Sequence, residues 1–239
     1  MMSIKWIKNV KLEVGSYQDD EGYGHTETDL FHLKIVDGKI SEQIKANEEL
    51  PESQVEIVDA KGFLAVPTFK EMHNHLDKTY LSLDWKASAP TKSLKERLQR
   101  EAEELTYLAP TTKQRATKMI ETLLSYGSTH IRTHVNIDPY IGLQNLEGVL
   151  EALDAFKGKV TADIIAFPQH GLLRHGVPEL MKEAMRSGAT MIGGLDPAGI
   201  DRNIEKSLYL TMDLAQEFNA DVDMQEGEVD DAASAIEEE

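Results

Sequence analysis

Two histidines lie two positions apart in residues 73–78, which read HNHLDK. Side chains two apart in an extended chain point to the same side, so the His73 and His75 rings can reach one ion. Neutral imidazole is a common ligand of zinc and of other divalent transition metals. Two solvated loop histidines would give the same spacing. The pair alone therefore predicts a candidate metal site and leaves that alternative open.

Further polar side chains follow or interrupt the next apolar segments. His130, Arg132 and His134 alternate along one segment, so they share a face of a predicted strand and are expected to line the lumen of a barrel. Gln169 follows another segment, and its amide pairs a donor with an acceptor, which suits the edge of a nitrogen heterocycle. Structural hydrogen bonding remains an equal interpretation for the first three residues, and a loop glutamine for Gln169.

The elements that would position these residues alternate between apolar strands and amphipathic helices after residue 63, which predicts a parallel sheet of βα units. Strands are predicted at 64–69, 129–137, 160–167, 190–195 and 221–224, and helices at 94–105, 112–126, 146–156, 178–187 and 204–218. In such sheets, active sites collect at the carboxyl ends of the strands, where the two histidines and Gln169 fall.

The first 62 residues carry short apolar groups separated by Gly, Asp and Asn, which is typical of a small β-unit. Asp37 and Gly38 interrupt an alternating segment and predict a hairpin turn. The last segment, 226–239, is acidic and Ala-rich, and we interpret it as a tail.

Composition excludes several classes of function. The net charge of −17 disfavours nucleic acid and anionic membranes as partners, and no apolar run approaches the ~20 residues of a membrane-spanning helix. A small, neutral or cationic ligand fits better. The chain has no cysteine, which excludes the His/Cys/Cys zinc deaminases and suits a soluble protein of the reducing cytoplasm.

Four motifs carry a resemblance to cytosine deaminases of the amidohydrolase superfamily. They are VPTF at 66–69 with HNHLDK at 73–78, HIRTHVN at 130–136, IIAFPQHG at 164–171 and VDMQEGEVDD at 222–231. The resemblance implies an α/β fold in which a small N-terminal β-sandwich portion (1–62) joins a (β/α)8 TIM-type barrel. The barrel would be incomplete here, with about five strands at 63–225, because eight strands need about 250 residues.

The resemblance also implies the chemistry. His73 and His75 would bind one divalent metal ion, zinc or iron, Gln169 would bind the substrate, and Glu228 would shuttle protons. The reaction would be hydrolysis of a non-peptide C–N bond, deaminating a cytosine-like or related amino-substituted ring with metal-activated water. Asp77 and Asp223 are near enough in sequence to accept hydrogen bonds from the ligating rings.

This sequence departs from the family pattern in two respects. Gln225 stands where a third metal-binding histidine is expected, and an amide is a poor replacement for imidazole. The sequence also ends before the strands that would carry a fourth histidine and an aspartate, so we expect weak metal binding and association into a homo-oligomer through open sheet edges. A truncated or degenerate, non-catalytic relative is the alternative, and a barrel with other chemistry is a third.

Overall fold

The computed structural model describes residues 3–50, 55–87, 90–108 and 111–225. They belong to two compact units, Met1–Pro67 and Thr68–Glu239. The predicted tail at 226–239, and with it Glu228, lies outside the described residues.

The N-terminal unit contributes one four-stranded mixed sheet in the order β3-β2-β1-β4, in which β1 and β4 are parallel and the other pairs are antiparallel. Its strands are β1 (Ile4–Gln18), β2 (Gly24–Val36), β3 (Lys39–Lys45) and β4 (Glu56–Asp59). The predicted hairpin is confirmed. Asp37 and Gly38 form its two-residue turn with φ of 48° and 79°, the positive values that a type I′ turn needs.

The second unit is a parallel half-barrel, as predicted for this α/β chain. Its five strands run in sequence order, β5-β6-β7-β8-β9. They are β5 (Phe69–Asn74), β6 (Ser128–Asn136), β7 (Thr161–Phe167), β8 (Met191–Leu195) and β9 (Asp221–Gln225). The helices are α1 (Leu94–Tyr107), α2 (Thr112–Ser125), α3 (Gln144–Asp154), α4 (Val177–Arg186) and α5 (Ile204–Phe218). Apart from β5, every predicted element of this unit is present within two residues of its expected bounds.

The first strand of the half-barrel was predicted wrongly, because β5 begins at Phe69 where the predicted strand ends. The preceding segment belongs to the N-terminal sheet instead, since Leu64 forms a bridge with Lys11. Pro67 then lacks the N–H that a strand would donate. As a result, His73 lies inside the strand and His75 directly after it.

The parallel sheet is strongly curled. Arg132 of β6 and Asp223 of β9 are three strands apart, roughly 14 Å on a flat sheet. Their side chains nevertheless meet, with Arg132 Nη1 at 3.2 Å from Asp223 Oδ2. Gln225 and His73 lie on the two opposite edge strands, and their side chains are 2.9 Å apart. The curl therefore brings side chains of the two edge strands, β5 and β9, into contact.

The two faces of β6 show which side is the lumen. Ile131 and Val135 are fully buried and belong to the main apolar cluster with residues of α2, α3 and α4. His130, Arg132 and His134 alternate with them and contact polar side chains of other strands. The predicted common face for these three residues is confirmed, and it is the concave one.

Candidate metal centre

Three histidines cluster at the carboxyl ends of the first two strands of the half-barrel. His73, His75 and His134 each offer a ring nitrogen, and these three atoms all lie within 4.8 Å of one another. The ring centroid of His134 is 4.7 Å from that of His73 and 5.5 Å from that of His75. The alternation of residues along β6 predicts that His134 faces the lumen, but no feature of the sequence identifies it as a ligand. The alternation of residues predicts which face of the strand His134 occupies, but it does not predict how close His134 lies to the other two rings.

The surroundings keep two of these rings neutral. Burial lowers the pKa of His75 to about 2, and the nearby Lys78 ammonium adds to the effect. Burial also lowers the pKa of His134, although the Asp223 carboxylate opposes the change. Only the neutral ring has a lone pair free for a metal ion. The rings are therefore in the form that binds a cation.

Two ring nitrogens in this cluster have no hydrogen-bond partner within the described part of the chain. They are Nδ1 of His75 and Nδ1 of His134, and both are buried. Buried polar atoms are nearly always paired, so two unpaired ring nitrogens in one cluster need an explanation. A metal ion bound by both nitrogens would satisfy them, so the chemistry of these residues fits a metal ion.

Asp223 orients His134. Its Oδ1 lies 3.3 Å from His134 Nε2, which leaves Nδ1 as the nitrogen that faces away from the carboxylate. Its other oxygen accepts a hydrogen bond from Arg132, and Arg132 also donates to Asp163 of β7. A carboxylate on the second nitrogen is the usual support of a metal-binding histidine. The sequence predicts that Asp223 supports His73 or His75, whereas in the structure it contacts the ring of His134 instead.

Asp77 does not support a ligating ring. Its Oδ2 accepts hydrogen bonds from the Asn136 backbone N–H and from Asn145 Nδ2, both at 2.9 Å. Burial raises the pKa of Asp77 to about 6, against the lowering effect of Lys78. The described contacts of Asp77 instead join the chain after β5 to the end of β6 and to α3.

Gln225 occupies the place beside His73 that the resemblance assigns to an imidazole. Its Nε2 lies 2.9 Å from His73 Nε2, so the amide donates to the ring nitrogen. The predicted departure from the family pattern is thus located at the cluster itself. The proton-shuttle prediction for Glu228 falls outside the described residues.

Gln169 follows β7 and is 3% exposed. Its Nε2 donates to Glu101 Oε1 at 3.0 Å, and the same oxygen accepts from Lys78 Nζ at 2.9 Å. Lys78 also acts electrostatically on His75 and His134. Gln169 is therefore linked to the histidine cluster through a carboxylate and an ammonium group. No feature of the sequence predicts a role for Glu101, which lies on α1.

Phe167, the last residue of β7, forms an apolar wall at the cluster. Its ring centroid lies 5.9 Å from that of His75 and 5.1 Å from that of His134, with an edge-to-face geometry in both pairs. Leu98 of α1 and Leu195 of β8 pack against Phe167. A cavity of about 520 Å³ adjoins this wall at Leu98, and its other lining residues include Tyr140 and His170 but none of the three clustered histidines.

Comparison with known proteins gives a family match that covers most of the chain. Residues 56–236 match the sequence model of the amidohydrolase family. An uncharacterized protein of Escherichia coli K12, YahJ, is 37% identical over 221 residues, which make up 92% of this chain and 48% of that protein. The chain spans about half the length of the curated relatives it matches.

Two solved structures are similar over nearly the whole chain. N-isopropylammelide isopropylaminohydrolase from Burkholderia multivorans aligns with a TM-score of 0.81 and 26% identity, over 98% of this chain and 56% of that one. 5-Methylcytosine deaminase from Klebsiella pneumoniae, liganded with 5-fluorocytosine, aligns with a TM-score of 0.71 and 30% identity, over 92% of this chain and 50% of that one.

None of the helices in the described ranges is long and apolar enough to cross a membrane.

Proposed function

The chain belongs to the amidohydrolase family, and from that membership we propose that it is part of a metal-dependent hydrolase that removes an amino group from a nitrogen heterocycle. The observation that carries the proposal is the cluster of His73, His75 and His134, with its two orphaned nitrogens, at the carboxyl ends of parallel strands. Two similar proteins, named for N-isopropylammelide and 5-methylcytosine, support an amino-substituted ring as the substrate.

In this proposal the three histidines hold one divalent ion, zinc or iron. The ion would supply the lowered water pKa and the charge stabilisation that hydrolysis needs. Gln169 binds the edge of the ring, Phe167 keeps bulk water from the histidines, and Glu228 moves protons. Asp223 and Arg132 keep the His134 ring in position.

A non-catalytic relative that keeps the scaffold is the second candidate, and Gln225 is the observation that favours it. Its amide hydrogen bond to His73 Nε2 satisfies that nitrogen without a metal ion. A small-molecule ligand and a homo-oligomer are proposed for both candidates, and so is a cytoplasmic location.

The test is metal analysis of the purified chain after reconstitution with zinc or ferrous iron, followed by an ammonia-release screen over cytosine, isoguanine and related rings. We expect about one ion per chain and ammonia release above that of the metal-free protein. Stoichiometric metal without ammonia from any ring would favour the non-catalytic candidate. The absence of metal would contradict the histidine cluster as a binding site and would also favour the non-catalytic candidate, in which Gln225 satisfies His73 without an ion.

Changing Gln225 to histidine is expected to strengthen zinc binding by about tenfold or more, because an imidazole replaces an amide directly beside His73. Competition titration against a chromophoric zinc chelator measures the change. Gln216→His, at an exposed position near the end of α5, is the matched control and should leave the affinity unchanged. Equal affinities of the unaltered chain and Gln225→His would show that Gln225 does not face the ion.

A further inference from the structure

The Gln169 amide is anchored at one end only. Its Nε2 donates to Glu101 Oε1 at 3.0 Å. An ionised carboxylate has acceptors and no donor, so the amide must turn its NH₂ group toward Glu101 whichever way the two ends of the amide were assigned. The orientation of Gln169 is therefore fixed by the chemistry of its partner.

Glu101 is held by an ion pair and by the packing of its helix. The Lys78 ammonium contacts the same oxygen at 2.9 Å, and the Lys78 and Glu101 side chains are only 12% and 24% exposed. On the same helix, Leu98 is buried against Phe167 and Leu195. A partly buried, charge-assisted contact is stronger than an exposed one, so Glu101 is a fixed acceptor for Gln169.

The carbonyl oxygen of Gln169 points away from Glu101 as a consequence. No hydrogen bond to this Oε1 is present among the described residues. One N–H of the amide is committed to Glu101, whereas Oε1 is free to accept. A side chain fixed in this way favours a ring edge with an N–H donor over an edge with only lone pairs.

We propose that Glu101 is a specificity-determining positioning residue, which commits the Gln169 amide to present its oxygen and so selects rings with an N–H group, such as lactam forms, at the edge facing Gln169. The proposal rests on the proposed function, because it assigns the ring-binding role to Gln169. Glu101 acts through Gln169 and needs no contact with the ring.

Glu101→Gln tests this selection. A carboxamide at position 101 can donate or accept, so the Gln169 amide is free to reverse. The probes are uracil, which has two ring N–H groups, and 1,3-dimethyluracil, which has none. Their binding to the zinc-loaded chain is measured by titration calorimetry. Steric effects of the methyl groups are common to all variants, so the change in the affinity ratio isolates the orientation of the amide.

We expect the unaltered chain to bind uracil about tenfold or more tightly than 1,3-dimethyluracil. Glu101→Gln should reduce this ratio to about twofold, a change of the size expected for one polar contact. Glu121→Gln is the matched control, with the same charge change at an exposed position of α2. It should keep the preference of the unaltered chain. Gln169→Met, which removes the amide and leaves Glu101 intact, should lose the preference as Glu101→Gln does.

The two possible failures are distinguishable. If the unaltered chain binds the rings and either Glu101→Gln or Gln169→Met keeps its full preference for uracil, Glu101 does not set the specificity, and the proposed function stands. If the zinc-loaded, unaltered chain binds neither ring, the ring-binding function is overturned, and the role of Glu101 with it.

Discussion

Replacing His134 with alanine is expected to weaken zinc binding by about 100-fold or more. The cluster has three imidazoles, because the residue beside His73 at position 225 is a glutamine. Loss of His134 leaves only His73 and His75, which come from one short chain segment. Zinc sites in proteins generally need at least three protein ligands for tight binding, and even loss of a residue that only supports a ligand costs about 10- to 100-fold. Competition titration with a zinc chelator measures the loss.

His130→Ala is the matched control for this experiment. His130 lies on the same strand and the same face as His134, but its ring contacts Thr161 at 2.8 Å and Asp163 at 3.4 Å. It is not part of the histidine cluster, so its removal should leave zinc affinity within about twofold, since it touches no ligand. Similar losses for the two variants would mean that the ion binds elsewhere on this face.

Asp77→Ala is expected to lower the free energy of unfolding of the second unit by about 3 kcal/mol. The carboxylate is fully buried and accepts from the Asn136 backbone N–H and from Asn145 Nδ2. Alanine leaves both donors buried without an acceptor, and each such loss costs about 1–3 kcal/mol. Urea unfolding followed by circular dichroism measures the shift in midpoint.

Asp84→Ala removes the same charge from an exposed position of the same unit and should change stability by no more than about 0.5 kcal/mol. An Asp77→Ala midpoint equal to that of Asp84→Ala would contradict the network. Because Asp77 makes none of its described hydrogen bonds to an imidazole, folded Asp77→Ala protein should keep most of its zinc affinity.

The strands, the helices and their buried faces could be predicted from the residue pattern alone. Alternation of apolar strands with amphipathic helices predicted β6 to β9 and α1 to α5 within two residues, because the period of burial differs between the two structures. The same alternation placed His134 and Arg132 on one face of β6. Asp37 and Gly38 determined a turn through their tolerance of positive φ.

The residue pattern gave a wrong prediction for a segment whose pairing partner is distant in sequence. The apolar residues at 64–66 read as the first barrel strand, yet Leu64 pairs with Lys11 in the N-terminal sheet and β5 starts at Phe69. A short apolar segment carries no information on which of two sheets it joins, and the exposure of Leu64 and Val66, 49% and 58%, shows that burial does not decide it here.

Which residues meet at the site depends on the tertiary structure. His73 and Gln225 lie on opposite edge strands, roughly 19 Å apart on a flat sheet, and meet only because the sheet curls. The curl also brings His134 to the other two histidines, and the packing of α1 brings Glu101 to Gln169. Sheet curvature and helix placement depend on the summed packing of many side chains, and no residue spacing encodes them.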